Sequence, residues 1–354
     1  MRLRIPHAVR HGFSAPVWGV ATVATLGCAL PLALGLVSNH NGFLWAALGA
    51  FQASLANPLH RYGMLRMLLI GTLGAGAAAL GYLAASHPLA SLLLFAAMGL
   101  LLARLQRYGH VAGKLGLGLA VCLCLGQGSH GQSDLNNAGA VAALFLLGAL
   151  WTTLLAFMLR GLHALRTWPY MPRLLAVLKV MRRQARGVPR RPWLLHALAC
   201  VLSLGLAGLF IDLLELAHGY WLSLAVVILL QLNLAQGPRP LLPMALAVLL
   251  ASALMTVVGH SLERPLLLSA LLMPLIFFNR AFQANHYLLF AIQTTLGCLL
   301  LREGLATDWQ APQGRLLNVV LGIALVLAVA SLVRGLRRLA GRVAAPRSGR
   351  MSGN

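Results

Sequence analysis

The sequence predicts an all-α polytopic membrane protein of about twelve transmembrane helices, built as two parallel six-helix repeats. Three observations predict it. Hydrophobic residues fill 59% of the 354 positions and charged residues only 10%, with a mean hydropathy of +0.81. A soluble domain carries about 25% charged residues. The basic residues sit in short stretches between apolar runs, and the runs recur at a nearly constant offset. The same composition excludes a disordered chain. Five cysteines in 354 residues exclude a disulfide scaffold.

Each span needs about 20 apolar residues. In the first half the runs cover 15–37, 43–57, 66–86, 88–103, 110–127 and 138–159. In the second they cover 195–214, 220–236, 240–260, 265–279, 284–301 and 315–333. The short runs 43–57 and 265–279 also fit re-entrant or interfacial helices. The first run follows Arg2, Arg4 and Arg10 but is too long for a signal-peptide core and has no A-x-A site, so it reads as a retained helix.

The charges orient these spans. With both termini cytoplasmic, 25 of the 28 basic residues fall on the cytoplasmic side, leaving Arg264, Arg302 and Arg315 outside. The six acids, Asp134, Asp212, Glu215, Glu263, Glu303 and Asp308, all fall on or near the outer side. That agreement is independent, because the positive-inside rule does not govern acids. The net charge of +22 is therefore topological and does not indicate nucleic-acid binding.

Corresponding span starts differ by 174 to 180 residues. Gly42-Phe43-Leu44-Trp45 opens the second span of one half, and Gly219-Tyr220-Trp221 opens that of the other. Six spans per half give both halves the same orientation, so an axis along the membrane normal relates them. The organisation is residues 1–160 as the first repeat, 161–194 as a linker, 195–340 as the second repeat and 341–354 as a disordered tail. Leu174, Leu175, Val177, Leu178, Val180 and Met181 alternate with Arg173, Lys179, Arg182, Arg183 and Arg186. This is a basic amphipathic helix suited to the cytoplasmic leaflet, or a connector whose charges only fix topology.

The order of features within each half resembles a known family. A helix opens with Gly, an aromatic and Trp; a Gln and a Pro follow; a basic hairpin comes next, then a Gly-rich helix. One half shows Trp45, Gln52, Asn57-Pro58, Arg61, Arg66 and Gly71-Thr72-Leu73-Gly74; the other shows Trp221, Gln231 and Gln236-Gly237-Pro238-Arg239, with Asn318 and Gly322 in its last helix. This resembles the fusaric acid resistance (FUSC) family of inner-membrane proteins, related to aromatic acid exporters. Half two departs from it in lacking a counterpart of the Gly71-Thr72-Leu73-Gly74 element. The linker also has only about thirty residues, where many members carry a large cytoplasmic domain. The resemblance implies export of aromatic acids and similar toxic compounds from the bacterial inner membrane, with a periplasmic adaptor protein as a partner.

The residues suggest how such transport would work. Gly109 to Leu115 lacks the spacing and the Ser/Thr of a P-loop, so an ion or substrate gradient is the expected drive. Asp212 and Glu215, three apart near the outer end of an apolar helix, are the proton-coupling candidates; simple interfacial solvation is the alternative. Lys114, one turn inside the fifth helix, could meet an organic anion or snorkel to the interface. Gln52, Gln231, Asn233 and Gln293 must find partners inside the bundle or line a wet path. Trp45 and Trp221 are gate candidates at the repeat interface, or aromatic-belt anchors.

None of the twelve histidines forms a His-x3-His ligand pair on one expected helix, since His7 and His11 precede the first span, and no catalytic constellation is legible. No metal, cofactor or enzymatic activity is expected. The expected function is proton-driven efflux of small organic acids or hydrophobic toxicants. The alternatives are an organic-anion channel, as in six-helix plant malate channels, and a non-transporting accessory subunit. Membrane lipid and a small organic anion are the expected partners, and a homo-oligomer is compatible with the sequence.

Overall fold

A computed structural model of the chain describes residues 17–40, 42–56, 62–128, 137–160, 171–216, 218–231, 241–261, 265–282 and 312–344. These residues form α1 (Trp18–Ser38), α2 (Phe43–Ala53), α3 (Gly63–Ala84), α4 (Pro88–Arg107), α5 (His110–Gln127) and α6 (Ala138–Arg160). They continue as α7 (Met171–Gly187), α8 (Arg190–Leu213), α9 (Tyr220–Leu229), α10 (Leu242–Ser261), α11 (Pro265–Ala281) and α12 (Pro312–Ala344). No strand occurs among the described residues. The expected span at 284–301 lies outside them. The last helix runs to Ala344, past the boundary expected near 340.

Six helices, α1, α3, α4, α6, α8 and α12, are long and apolar enough to cross a membrane. Their outward faces are as apolar as the core. Leu69, Leu73, Leu80 and Leu83 stand exposed along α3, and Leu242, Leu246, Leu250 and Leu254 along α10. The three-to-four spacing makes each set one helix face. Exposed leucine stripes of this kind suit a protein whose outer solvent is lipid. The chain is thus a multi-pass α-helical membrane protein.

The two short helices hold the centre. α2 has 11 residues and α9 has 10. At 1.5 Å per residue each reaches about 16 Å, half of a bilayer core of about 30 Å. Nearly all their side chains are buried. The runs expected at 43–57 and 220–236 therefore yield helices that stop partway. α2 packs against α1, α3 and α6, and α9 packs against α5, α8, α10 and α12. Close approach requires glycine here: a β-carbon at Gly49 would fall on the Phe145 carbonyl oxygen, and one at Gly148 on that of Ala46.

Across the two halves, α4 packs along α8 and α11 packs against α1. Each is a fourth helix of one half against a first helix of the other. Matching side chains stand at these seams. Trp193 in the first turn of α8 donates its indole N–H to the Ala103 carbonyl of α4 at 3.3 Å. Trp18 opens α1 and stacks on Phe277 of α11 at 5.7 Å. Gly109, at φ 111°, makes the tight joint between α4 and α5. That conformation favours glycine because it has no β-carbon to clash.

The basic side chains gather at one end of the bundle. Arg104 and Arg107 close α4, Arg190 and Arg191 open α8, and Arg334, Arg337 and Arg338 lie late in α12. The amphipathic α7 lies at that end, where the Arg107 Nε donates to the Ala185 carbonyl at 2.9 Å and the guanidinium lies 4.8 Å over the Trp193 ring.

Candidate functional site

At the opposite end a cavity of about 330 Å³ opens where four elements meet. Its lining includes Ser86 from the α3–α4 turn, Gln127 at the end of α5, Asp212 and Glu215 at the end of α8, and Tyr220 at the start of α9. The chain enters it by a constrained turn. Glu215 and His218 both take left-handed backbone, at φ 46° and 56°. Such conformations are uncommon for residues other than glycine and persist where surrounding packing imposes them.

Gln127 links the two halves there. Its Nε2 donates to Asp212 Oδ1 at 3.2 Å and lies 3.4 Å from Ser91 Oγ. Ser91 in turn donates to the Ala84 carbonyl at 3.0 Å. The amide oxygen of Gln127 is buried and accepts no hydrogen bond from the described residues. Asp212 is half-buried, while Glu215 is exposed. The sequence places the two acids on one helix face; the structure ends α8 at Leu213, so Glu215 sits in the turn. They share a cavity rather than a face.

A second polar cluster lies at the basic end. Arg280 in the last turn of α11 is 1% exposed. Its Nε donates to Ser54 Oγ at 3.0 Å, its Nη2 to the Phe51 carbonyl at 3.0 Å and its Nη1 to Asn279 Oδ1 at 3.1 Å. The guanidinium also lies 4.1 Å over the Phe51 ring. One of these contacts caps the Phe51 carbonyl at the end of α2, and a cation suits the negative end of a helix. In the other half Gln106, near the end of α4, donates to the Leu230 carbonyl past the end of α9 at 2.7 Å. His196 bridges to the same Gln106 at 2.5 Å.

Several expected residues are thereby placed. Gln52 is 1% exposed, and its Oε1 accepts no hydrogen bond from the described residues. Gln231 is half-buried in the turn after α9. Lys114 is exposed on α5. Asn233 and Gln293 lie outside the described residues. Trp45 and Trp221 are 3% and 2% exposed, so they are core residues rather than anchors at the lipid interface. Asp134, Glu263, Glu303 and Asp308 lie outside the described residues.

Sequence reasoning missed Gln127, Gln106 and Arg280. Gln127 closes an apolar run and carries the same signal that singled out Gln52, whereas Gln106 stands between Arg104 and Arg107, past the run that ends at 103, and carries no such signal. Arg280 counted as one more cytoplasmic loop charge; only the fold brings it onto α2. The four described cysteines, Cys28, Cys122, Cys124 and Cys200, are buried as free thiols. Among the described residues no group of three His, Cys, Asp or Glu could hold a metal ion.

Comparison with curated proteins and with solved structures finds no match for this chain. The family described as fusaric acid resistance protein-like matches residues 206–329. The part of the chain that contributes Asp212, Glu215, Trp221 and Arg280 is therefore similar to that family.

Proposed function

We propose that the chain is a bacterial inner-membrane transporter that exports small organic acids or hydrophobic toxicants, driven by the proton gradient. One observation carries the reading: Asp212 and Glu215 line a cavity at the seam of the two halves, where Gln127 of one half bonds Asp212 of the other. A carboxyl at such a seam gains and loses contacts when the halves move, so its proton occupancy couples to that motion. The outer position of the cavity follows from the gathering of basic residues at the other end, which the positive-inside rule makes cytoplasmic.

The paired seams, α4 with α8 and α11 with α1, support two parallel repeats within a twelve-span arrangement with both termini cytoplasmic. The buried, half-length α2 and α9 resemble the interrupted helices that form midplane substrate paths. The similarity over residues 206–329 supports the transporter class. A periplasmic adaptor and a homo-oligomer are further parts of the proposal.

The test uses purified protein in liposomes with an imposed pH gradient and a labelled aromatic acid. Gradient-dependent flux in the wild type, lost in Asp212→Asn/Glu215→Gln, is the expected result. Flux indifferent to both gradient and substitution would instead make the protein an anion channel. Absence of flux with every acid tried would favour the accessory-subunit reading.

A further inference from the structure

We propose that α7 is a docking surface for anionic phospholipid headgroups, held by cations and leucines that share one exposed stripe of the helix. The inference needs the chain's place in a membrane and goes beyond its transport activity.

Two stripes run along α7. Leu174, Val177 and Met181 are half-buried and Ala185 is buried, at the three-to-four spacing of one helix face. A second stripe, spaced likewise, carries Leu175, Leu178, Lys179, Arg182 and Arg186, all exposed. Leu175 and Leu178 are 61% and 59% exposed. Among the described residues no other helix packs along α7. The charge of the second stripe also has no counterpart nearby. No acid stands between Asp134 and Asp212 in the sequence, and the two described acids, Asp212 and Glu215, line the cavity at the opposite end of the bundle.

The helix is tethered to two membrane-spanning helices. Val188 and Pro189 alone separate it from α8. Pro189 has extended backbone, at φ −59° and ψ 137°, so the chain turns between the two helices. Arg107, the last residue of α4, bonds the Ala185 carbonyl at 2.9 Å, which fixes the same end of α7 a second time. The chemistry then selects the occupant. Water does not favour exposed leucines, and hydrocarbon does not accept cations. The headgroup layer takes both: leucines enter the acyl boundary, while Lys and Arg lay down apolar stems and carry their charges to the phosphates. Anionic phospholipid supplies the negative charge that the chain itself does not place there.

The experiment uses purified full-length protein in the Cys298→Ser background, with Leu178→Cys carrying an environment-sensitive fluorophore. It compares nanodiscs of phosphatidylcholine alone with nanodiscs of phosphatidylcholine and phosphatidylglycerol in equal parts. With phosphatidylglycerol the emission should shift to the blue, and nitroxide placed shallow on the lipid chains should quench it better than aqueous iodide. With phosphatidylcholine alone iodide should quench better. Arg182→Gln should reduce adsorption about fivefold, the worth of one cation at an anionic surface. Lys179→Gln/Arg182→Gln/Arg186→Gln should give the phosphatidylcholine spectrum in both lipids, and Arg182→Lys/Arg186→Lys should retain the shift. Salt at about 1 M, where the Debye length is about 3 Å, should reverse it. The same spectrum in the two lipids, a shift that survives the triple substitution, or a shift produced by added polyadenylate and not by phosphatidylglycerol would each overturn the proposal. None of these readings depends on flux, so loss of the transporter reading would leave the lipid surface standing.

Discussion

The guanidinium of Arg280 lies 4.1 Å over the ring of Phe51 and donates to that residue's own carbonyl at 3.0 Å. One cation thereby holds both the side chain and the backbone of the end of α2, and ties the second half of the chain to the first. Phe51→Leu keeps an apolar side chain but removes the ring face. It should destabilise the protein by about 1–2 kcal/mol, the worth of a desolvated cation–π contact. Arg280→Ala removes the cation–π contact and three hydrogen bonds together, and should cost about 3–5 kcal/mol. Thermal unfolding in detergent measures both, and equal midpoints for the two variants would contradict the arrangement.

The seam at the other end makes a different prediction. Gln127 is the donor that joins α5 to Asp212. Gln127→Leu should cut gradient-driven flux severely while costing only about 1 kcal/mol of stability, the net worth of a side-chain hydrogen bond. Comparing flux with thermal unfolding in one preparation checks this, and flux equal to wild type would show that the Gln127–Asp212 contact does not serve coupling.

Glycine substitutions should divide sharply by position. A β-carbon at Gly49 or Gly148 would fall on a backbone carbonyl oxygen of the neighbouring helix, so Gly49→Ala and Gly148→Ala should separate α2 from α6 and cost several kcal/mol, about the upper range for overpacking. At Gly76 nothing lies within 4 Å of the added carbon. Gly76→Ala should be neutral or should stabilise α3 by about 0.5–1 kcal/mol through helix propensity. Expression yield and thermal midpoint distinguish the two classes.

Thiol accessibility tests the core. Cys28, Cys122, Cys124 and Cys200 are buried. In a Cys298→Ser background, a maleimide should label none of the four until the protein is unfolded, since reactivity needs an accessible thiolate. Rapid labelling of Cys200 would show that the seam between α4 and α8 opens in solution.

Composition alone was enough for the class of this protein. A chain with 59% hydrophobic and 10% charged residues has too few charges to coat a water-facing surface. The helix positions followed from run length, and the preferred end for basic residues followed from where the arginines fall. These are properties of segments, and each segment is read without its neighbours.

Contacts between segments needed the fold. The runs at 43–57 and 220–236 look like spans in the sequence, yet α2 and α9 end after 11 and 10 residues, inside the bundle. Trp45 and Trp221 look like interface anchors because an aromatic at a helix start is amphipathic; packing on all sides buries them instead. Arg280 looks like a loop charge and proves to be a buried clasp on Phe51, a residue 229 positions away. Hydrophobicity marks what leaves water, but in a membrane protein lipid-facing and core-facing residues are equally apolar. Only the tertiary structure separates them, and with them the polar groups that face one another inside.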